Sequence, residues 1–249
     1  MRMLFPEPAE DVDPAAVYAD MPHHDDRPAV RLNMIVSVDG GTAWNGVSGA
    51  LGGPADKAVF GVLRSLTDAV LVASATMQAE HYGPAVLPAL VQAARRERGQ
   101  TPVPRIAVVS RACKFDWSAP FFTDATERPI VFTVASASEE NRTRAAAVAE
   151  LVIAGDDDVD FDVAVRHLGA SGTKSVLAEG GPTLNGQLAR AGLLDEVCVT
   201  LAPLLASGDA KRIIAGSTLD ALAPLDLHSI GEEDGYLFLR YRPREAPRS

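Results

Sequence analysis

Apolar positions along the chain fall into short runs whose period alternates between two and about three and a half residues, with glycine, proline or acidic turns between them. Val30 to Val38 predicts a strand, with Leu32, Met34, Val36 and Val38 on one face and Asn33, Ile35 and Ser37 on the other. Pro54-Ala55-Asp56 opens a helix whose apolar positions Val59, Phe60, Leu63 and Leu66 recur at helical spacing. Asp68 to Ala73 reads as a strand buried on both faces, as in a parallel sheet. A second strand-to-helix junction follows it at Ser74 to Glu80. Ser175 to Ala178 is a short strand running into Glu179-Gly180-Gly181, after which Pro182 and Thr183 open a helix through Leu184, Leu188 and Leu193.

The remaining pattern fills in around these segments. Pro84 to Pro104 is Pro-bounded and partly helical. Strands are predicted at Ile106–Ser110, Ile130–Val134, Leu151–Ala154 and Glu196–Pro203, and helices at Glu139–Ala149 and Phe161–Leu168. Ser207 to Ser217 is an irregular loop carrying Lys211-Arg212. Leu225–Ile230 and Tyr236–Tyr241 form a terminal strand pair across the acidic turn Glu232-Glu233-Asp234-Gly235. Alternation of β and α followed by antiparallel strands predicts an α/β fold. Its central sheet is mixed but mostly parallel, with helices on both faces and an antiparallel C-terminal strand pair. Residues 1–28 read as an acidic, Pro-punctuated N-terminal extension with a possible short helix at Pro14–Tyr18. Residues 29–243 form the domain, and 244–249 a tail.

Composition narrows the chemistry. A net charge of −10 argues against non-specific binding to nucleic acid or anionic membrane. It also means that a phosphorylated ligand needs locally placed cations or backbone N–H groups. Two cysteines, Cys113 and Cys198, offer no Cys-x-x-Cys pair, so neither a thiolate zinc site nor a disulfide framework is expected. No apolar run approaches the roughly 20 residues of a membrane-spanning helix, and the N-terminus has no signal-like pattern, so a cytoplasmic location is expected.

Three stretches carry candidate chemistry. Glu179-Gly180-Gly181-Pro182-Thr183-Leu184 joins a strand end, a bare backbone and a helix N-terminus. That combination suits a nucleotide phosphate, although a tight turn without a ligand fits equally. Asp39 ends the first predicted strand ahead of a long Gly/Ser/Ala loop, as at a substrate mouth or simply a turn. Thr76 could cap its helix or touch a phosphate. The other conspicuous clusters, His23-His24-Asp25-Asp26, Arg95-Arg96-Glu97-Arg98 and Asp156-Asp157-Asp158, are expected to be solvated.

Asn33-Met34-Ile35-Val36-Ser37-Val38-Asp39-Gly40, Gly53-Pro54-Ala55-Asp56, Asp68-Ala69-Val70-Leu71-Val72 and Glu179-Gly180-Gly181-Pro182-Thr183-Leu184 occur in an order and spacing that resemble a known family. It is the reductase domain of riboflavin-biosynthesis deaminase/reductases, in its stand-alone actinobacterial form, and the likeness covers about residues 28–243. The resemblance implies a fold like that of dihydrofolate reductase. It also implies NADPH-dependent reduction of 5-amino-6-(5-phosphoribosylamino)uracil, ribosyl to ribityl, by hydride delivery to C1′ of an open-chain imine. No His-x-Glu or Pro-Cys-x-x-Cys signature is present, so deamination is not expected.

By the same resemblance, Gly180, Gly181, Pro182, Thr183 and Leu184 line the pyrophosphate, with Ala73 and Thr76 also on the cofactor side and a cis peptide between the glycines. Glu179 lies near the ring pocket, and Asp39 holds substrate hydroxyls or relays the proton. Asn33, Ser48 and Asp56 are on the substrate side, no metal is called for, and a homodimer through the C-terminal strands is implied. One stretch departs from the family pattern. Where members show Val-Gly-Ala-Gly-Thr-Val-Arg-Ala-Glu, this chain has Val72-Ala73-Ser74-Ala75-Thr76-Met77-Gln78-Ala79-Glu80. Two glycines and a cation are lost, which predicts cofactor binding that is weakened, altered in preference or lost. Two alternatives follow: a non-catalytic nucleotide-binding or interaction relative, or a reductase of a different pterin-like substrate or with a different cofactor.

Overall fold

The computed structural model describes residues 1–244. Its strands are β1 (Arg2–Phe5), β2 (Ala29–Ser37), β3 (Ala69–Ala73), β4 (Arg105–Val109), β5 (Ile130–Thr133), β6 (Glu150–Ile153), β7 (Ser175–Ala178), β8 (Glu196–Ala202), β9 (Leu225–Glu233) and β10 (Tyr236–Pro243). The helices are α1 (Pro14–Ala19), α2 (Pro54–Leu66), α3 (Ser74–Ala79), α4 (Ala89–Glu97), α5 (Pro120–Thr123), α6 (Glu139–Val148), α7 (Phe161–Ala170) and α8 (Pro182–Arg190). All the strands join one sheet in the order β1-β9-β10-β8-β2-β7-β3-β4-β5-β6. From β8 to β6 neighbouring strands are parallel, and β10, β9 and β1 continue the sheet antiparallel.

The chain runs outward from β2 to β6 and then returns through β7 to β8. Right-handed crossovers in opposite directions put helices on opposite faces. Connections on the outward leg, α2 among them, cover one face, and α7 and α8 on the return leg cover the other. Apolar runs at Val70-Leu71-Val72, Ala107-Val108 and Ile130-Val131-Phe132 are wholly buried between the helix layers, which is why these strands lack alternation.

Three expectations change, at the N-terminal extension, at His24, and at Arg95, which is fully buried and donates to the carbonyls of Ser65, Thr67 and Thr101 rather than being solvated. The N-terminal extension contributes β1, an edge strand paired with β9 in the register Arg2↔Glu232 and Met3↔Gly231. A four-residue strand ended by Pro6 is too short to show a period. His24 is not simply solvated: its Nε2 lies 2.8 Å from Asp195, which also takes a two-pronged pair from Arg27 at 2.7 Å. The tail is described only at Arg244, the rest of it lying outside the described residues.

The extension is fastened by a buried charge cluster. Glu196 on β8 is fully buried and accepts from Arg31 (3.1 Å), Arg240 (2.8 Å) and Arg242 (3.2 Å). Arg240 also donates to the carbonyls of Val17 and Asp20 at the end of α1. Burial alone would raise the Glu196 carboxyl, but hydrogen bonding from Arg240 and the charges of Arg31 and Arg240 hold it at about 2, below the ordinary 4.5. A carboxyl depressed by folding stabilises the fold above its unfolded pKa, and that stability is lost as pH falls toward the folded one. At roughly 1.4 kcal/mol per tenfold change in proton affinity, the contribution is on the order of 3 kcal/mol. Urea unfolding is therefore expected to show stability falling from about pH 5 to about pH 2, and Glu196→Gln should flatten that slope.

Candidate active site

A cleft of about 1050 Å³ opens at the C-terminal ends of β2, β3 and β7. In an open α/β sheet this is where ligands bind, at the point where strand order reverses. Here β2 and β7 flank the reversal, since the chain leaves β2 toward β3 and returns through β7 to β8.

The turn after β7 is built as its sequence suggests. Gly180 has φ +88°, the left-handed region natural to glycine, and the Gly180–Gly181 bond is cis. Gly181 caps α8 with no side chain, and Pro182 takes the first helical position. The Gly180 carbonyl accepts from the Ala73 N–H at 2.7 Å, locking the turn to the end of β3. A Cβ on Gly181 would stand 2.6 Å from the Thr76 hydroxyl oxygen. The bare backbone of Gly181 and the Thr76 hydroxyl thus form a narrow cradle beside the first N–H groups of α8, which have no intrahelical acceptor. A nucleotide pyrophosphate fits this donor set. Gly181, Pro182, Thr183, Leu184, Ala73 and Thr76 all line the cleft, with Gly180 directly behind.

The alanines at Ala73 and Ala75 leave the backbone of this cradle unstrained. Ala73 has φ −74° and ψ 143°, ordinary extended backbone, and Ala75 lies within α3. Neither position needs glycine. Thr76 sits inside α3 rather than at its cap, which is Ala73, so its hydroxyl is left for the cleft.

Glu179 is buried at the cleft wall. Arg64 of α2 grips it in two-pronged fashion, Nε to Oε1 and Nη2 to Oε2, both at 2.7 Å, and the Tyr82 hydroxyl donates to Oε2 at 2.7 Å. The Arg64 guanidinium also lies over the rings of Phe60 (4.4 Å) and Tyr82 (5.2 Å). Burial disfavours the Arg64 charge, yet the Glu179 carboxylate outweighs it and raises the guanidinium's affinity for its proton. Burial, then the Glu179 charge, push the Tyr82 phenol well up. Arg64 and Tyr82 carry no role in the sequence reading. The signal for Arg64 was spacing: Asp56, Phe60 and Arg64 stand at i, i+4 and i+8 on α2, one helix face, and all line the cleft.

The substrate-side candidates divide. Asn33 and Asp56 line the cleft. Ser48 does too, but its N–H (2.6 Å) and hydroxyl (2.8 Å) both donate to Glu80, pinning the loop after β2 to α3. The tip of that loop is a two-residue hairpin at Asn45-Gly46, both with positive φ, which presents Trp44 to the cleft.

Asp39 is placed elsewhere. It is exposed and not among the cleft-lining residues. Its carboxylate accepts from the Ser37 hydroxyl (2.6 Å) and from the N–H groups of Ala206 (3.0 Å) and Ser207 (2.7 Å). The Ser37 bond first, then the two backbone bonds, hold its carboxyl down at about 2. It anchors the 206–211 loop, whose residues line the cleft. Asp39→Ala is therefore expected to raise the substrate KM several-fold with kcat little changed. A collapse of kcat at constant KM in steady-state assays would restore Asp39 to the reacting groups.

Residues 28–233 match the family described as the RibD C-terminal domain. The chain is 34% identical over 200 residues to the 2,5-diamino-6-ribosylamino-4(3H)-pyrimidinone 5′-phosphate reductase of Methanothermobacter thermautotrophicus, covering 79% of this chain and 88% of that one. A reductase of the same name from Archaeoglobus fulgidus is 27% identical over 194 residues, covering 77% and 88%. Among solved structures, a pyrimidine reductase-like protein from Corynebacterium diphtheriae superposes with a TM-score of 0.84 at 25% identity, covering 94% of this chain and 100% of that one.

Proposed function

The chain belongs to the RibD C-terminal domain family, reductases of riboflavin biosynthesis, and we propose that it uses NADPH to reduce a 6-ribosylaminopyrimidine 5′-phosphate, ribosyl to ribityl. The observation that carries the NADPH reading is the Gly181–Thr76 cradle at the mouth of α8. A bound nicotinamide would supply hydride to C1′ of the open-chain imine, whose nitrogen takes a proton from solvent as the amine forms.

The chain's own work is positional. The first N–H groups of α8 and the Thr76 hydroxyl hold the pyrophosphate. Lys57 and Lys211 line the cleft without an ion-pair partner among the described residues, and they supply the charge that a phosphorylated substrate needs in an acidic protein. Glu179 keeps Arg64 and Tyr82 fixed against the ring pocket. Trp44 and Phe60 offer flat apolar surface against the pyrimidine and narrow the access of water.

The deciding assay follows NADPH absorbance with the uracil and the 2-amino-pyrimidinone forms of the substrate, with the ribityl product identified by mass. Consumption of NADPH matched by product is the expected result, and none with either ring would overturn the reading. We further propose a homodimer. Val199 and Leu201 of β8 pair with Leu239 and Leu237 of β10, giving a half-buried apolar row on one sheet face. Light scattering is expected at twice the 26.3 kDa chain mass, and a monomer at that mass would reject it.

A further inference from the structure

The segment after β8 passes the cleft as a strap tied at both ends. At its start Asp39 accepts from the N–H groups of Ala206 and Ser207, and the Thr42 hydroxyl donates to the Lys211 carbonyl at 2.8 Å. At its far end Asn185 donates from Nδ2 to the Ile213 carbonyl at 2.7 Å, and the Ala215 N–H donates to the Pro182 carbonyl at 2.9 Å. The strap lies directly on α8 there: a Cβ on Gly186 would stand 2.0 Å from the Ala215 carbonyl oxygen. Residues 206–211 line the cleft between the two seats. One seat is the loop after β2, and the other is the helix whose N-terminus forms the cofactor cradle.

Packing does not explain Asn185. Its side chain is fully buried, and its Oδ1 has no hydrogen-bond partner among the described residues. A buried acceptor left unpaired costs stability, which an apolar side chain of the same shape would avoid. The amide cannot turn over to relieve it, because only Nδ2 can face the Ile213 carbonyl. Its one side-chain bond is the grip on the strap, two residues past Lys211, whose own carbonyl Thr42 holds. With both carbonyls fixed, the lysine leaves the backbone from a set point, and less freedom is lost when it binds a ligand. The strap's N–H groups at Ala206 and Ser207 are already given to Asp39, and Asp209 repels an anion. Lys211 is thus the anion-binding group that the strap brings to the cleft.

We propose that Asn185 is a positioning residue for substrate binding: its bond to Ile213 sets Lys211 at the cleft, where the ammonium takes the substrate's 5′-phosphate. The helix that receives the cofactor thereby also holds the cation that receives the substrate. This rests on the reductase reading for a ribosylamino phosphate, but the tie between α8 and the strap is a property of the chain itself.

The test compares the full chain as wild type, Asn185→Leu, Lys211→Ala and the double variant. Leucine keeps the amide's approximate shape while removing both the bond to Ile213 and the unpaired oxygen, which separates positioning from stability. Backbone amide exchange reads the strap. Calorimetry reads binding of 2,5-diamino-6-ribosylamino-4(3H)-pyrimidinone 5′-phosphate and of its dephosphorylated form. Asn185→Leu is expected to speed exchange across 206–215 and to weaken the phosphate several-fold, with the dephosphorylated form and NADPH bound as by wild type. Lys211→Ala should weaken the phosphate by at least about tenfold, and the double variant no further. Unchanged exchange, equal losses for the two forms, or additive losses in the double variant would each overturn the proposal. If Asn185→Leu does not fold, Thr42→Val frees the same lysine from the other seat, and absence of a phosphate-specific loss there would overturn it. Binding of neither form by wild type would overturn the reductase reading and Lys211's role together, a failure distinct from wild-type binding that Asn185→Leu leaves unchanged.

Discussion

Replacing Gly181 by valine is expected to remove saturable NADPH binding, with an affinity loss of at least about 100-fold, or roughly 2.7 kcal/mol. Backbone strain is not the reason. Gly181 has φ −77°, open to any residue, and the position that requires glycine conformationally is Gly180 at φ +88°. The reason is space: a Cβ would stand 2.6 Å from the Thr76 hydroxyl oxygen. Valine would add two more methyl groups at the mouth of α8, where a pyrophosphate would need the helix's free N–H groups. Gly181→Ala in a Thr76→Ala background should recover part of the affinity, since that contact is then relieved. Fluorescence titration with NADPH reads both, and undiminished binding by Gly181→Val would put the pyrophosphate elsewhere.

What could be read from the sequence follows from the range of the interactions. β3 and the β7 turn are specified by local features, an apolar run and a Gly-Gly-Pro sequence, and both stand where their residues imply. The lost glycines at Ala73 and Ala75 look damaging in one dimension because a glycine can mean positive φ or only a small side chain. The backbone there takes ordinary angles, so the alanines bring no backbone strain. Asp39 shows the converse. A terminal strand aspartate looks chemical until a loop more than 160 residues away supplies the N–H groups that occupy it. Arg64 is the clearest omission: its helix is legible, but its partner lies 115 residues on, and no local period encodes that pairing.

The Arg64–Glu179 pair gives the second large effect. Arg64→Ala is expected to destabilise the fold by about 3–5 kcal/mol, the cost of stranding one member of a buried pair. Glu179 has only 2% of its side chain exposed, and the Tyr82 hydroxyl would be its remaining partner. Arg64→Lys keeps the charge but cannot form the two-pronged bond or lie flat over Phe60, and it should recover only part of the loss. Adding Glu179→Ala to Arg64→Ala removes the stranded charge, so the double variant is expected to unfold at higher urea than Arg64→Ala alone. Additive losses would mean that water reaches the carboxylate and screens it. In that case Glu179 would lie open to solvent as well as to the ring pocket, and holding Arg64 and Tyr82 in place could not be its main role.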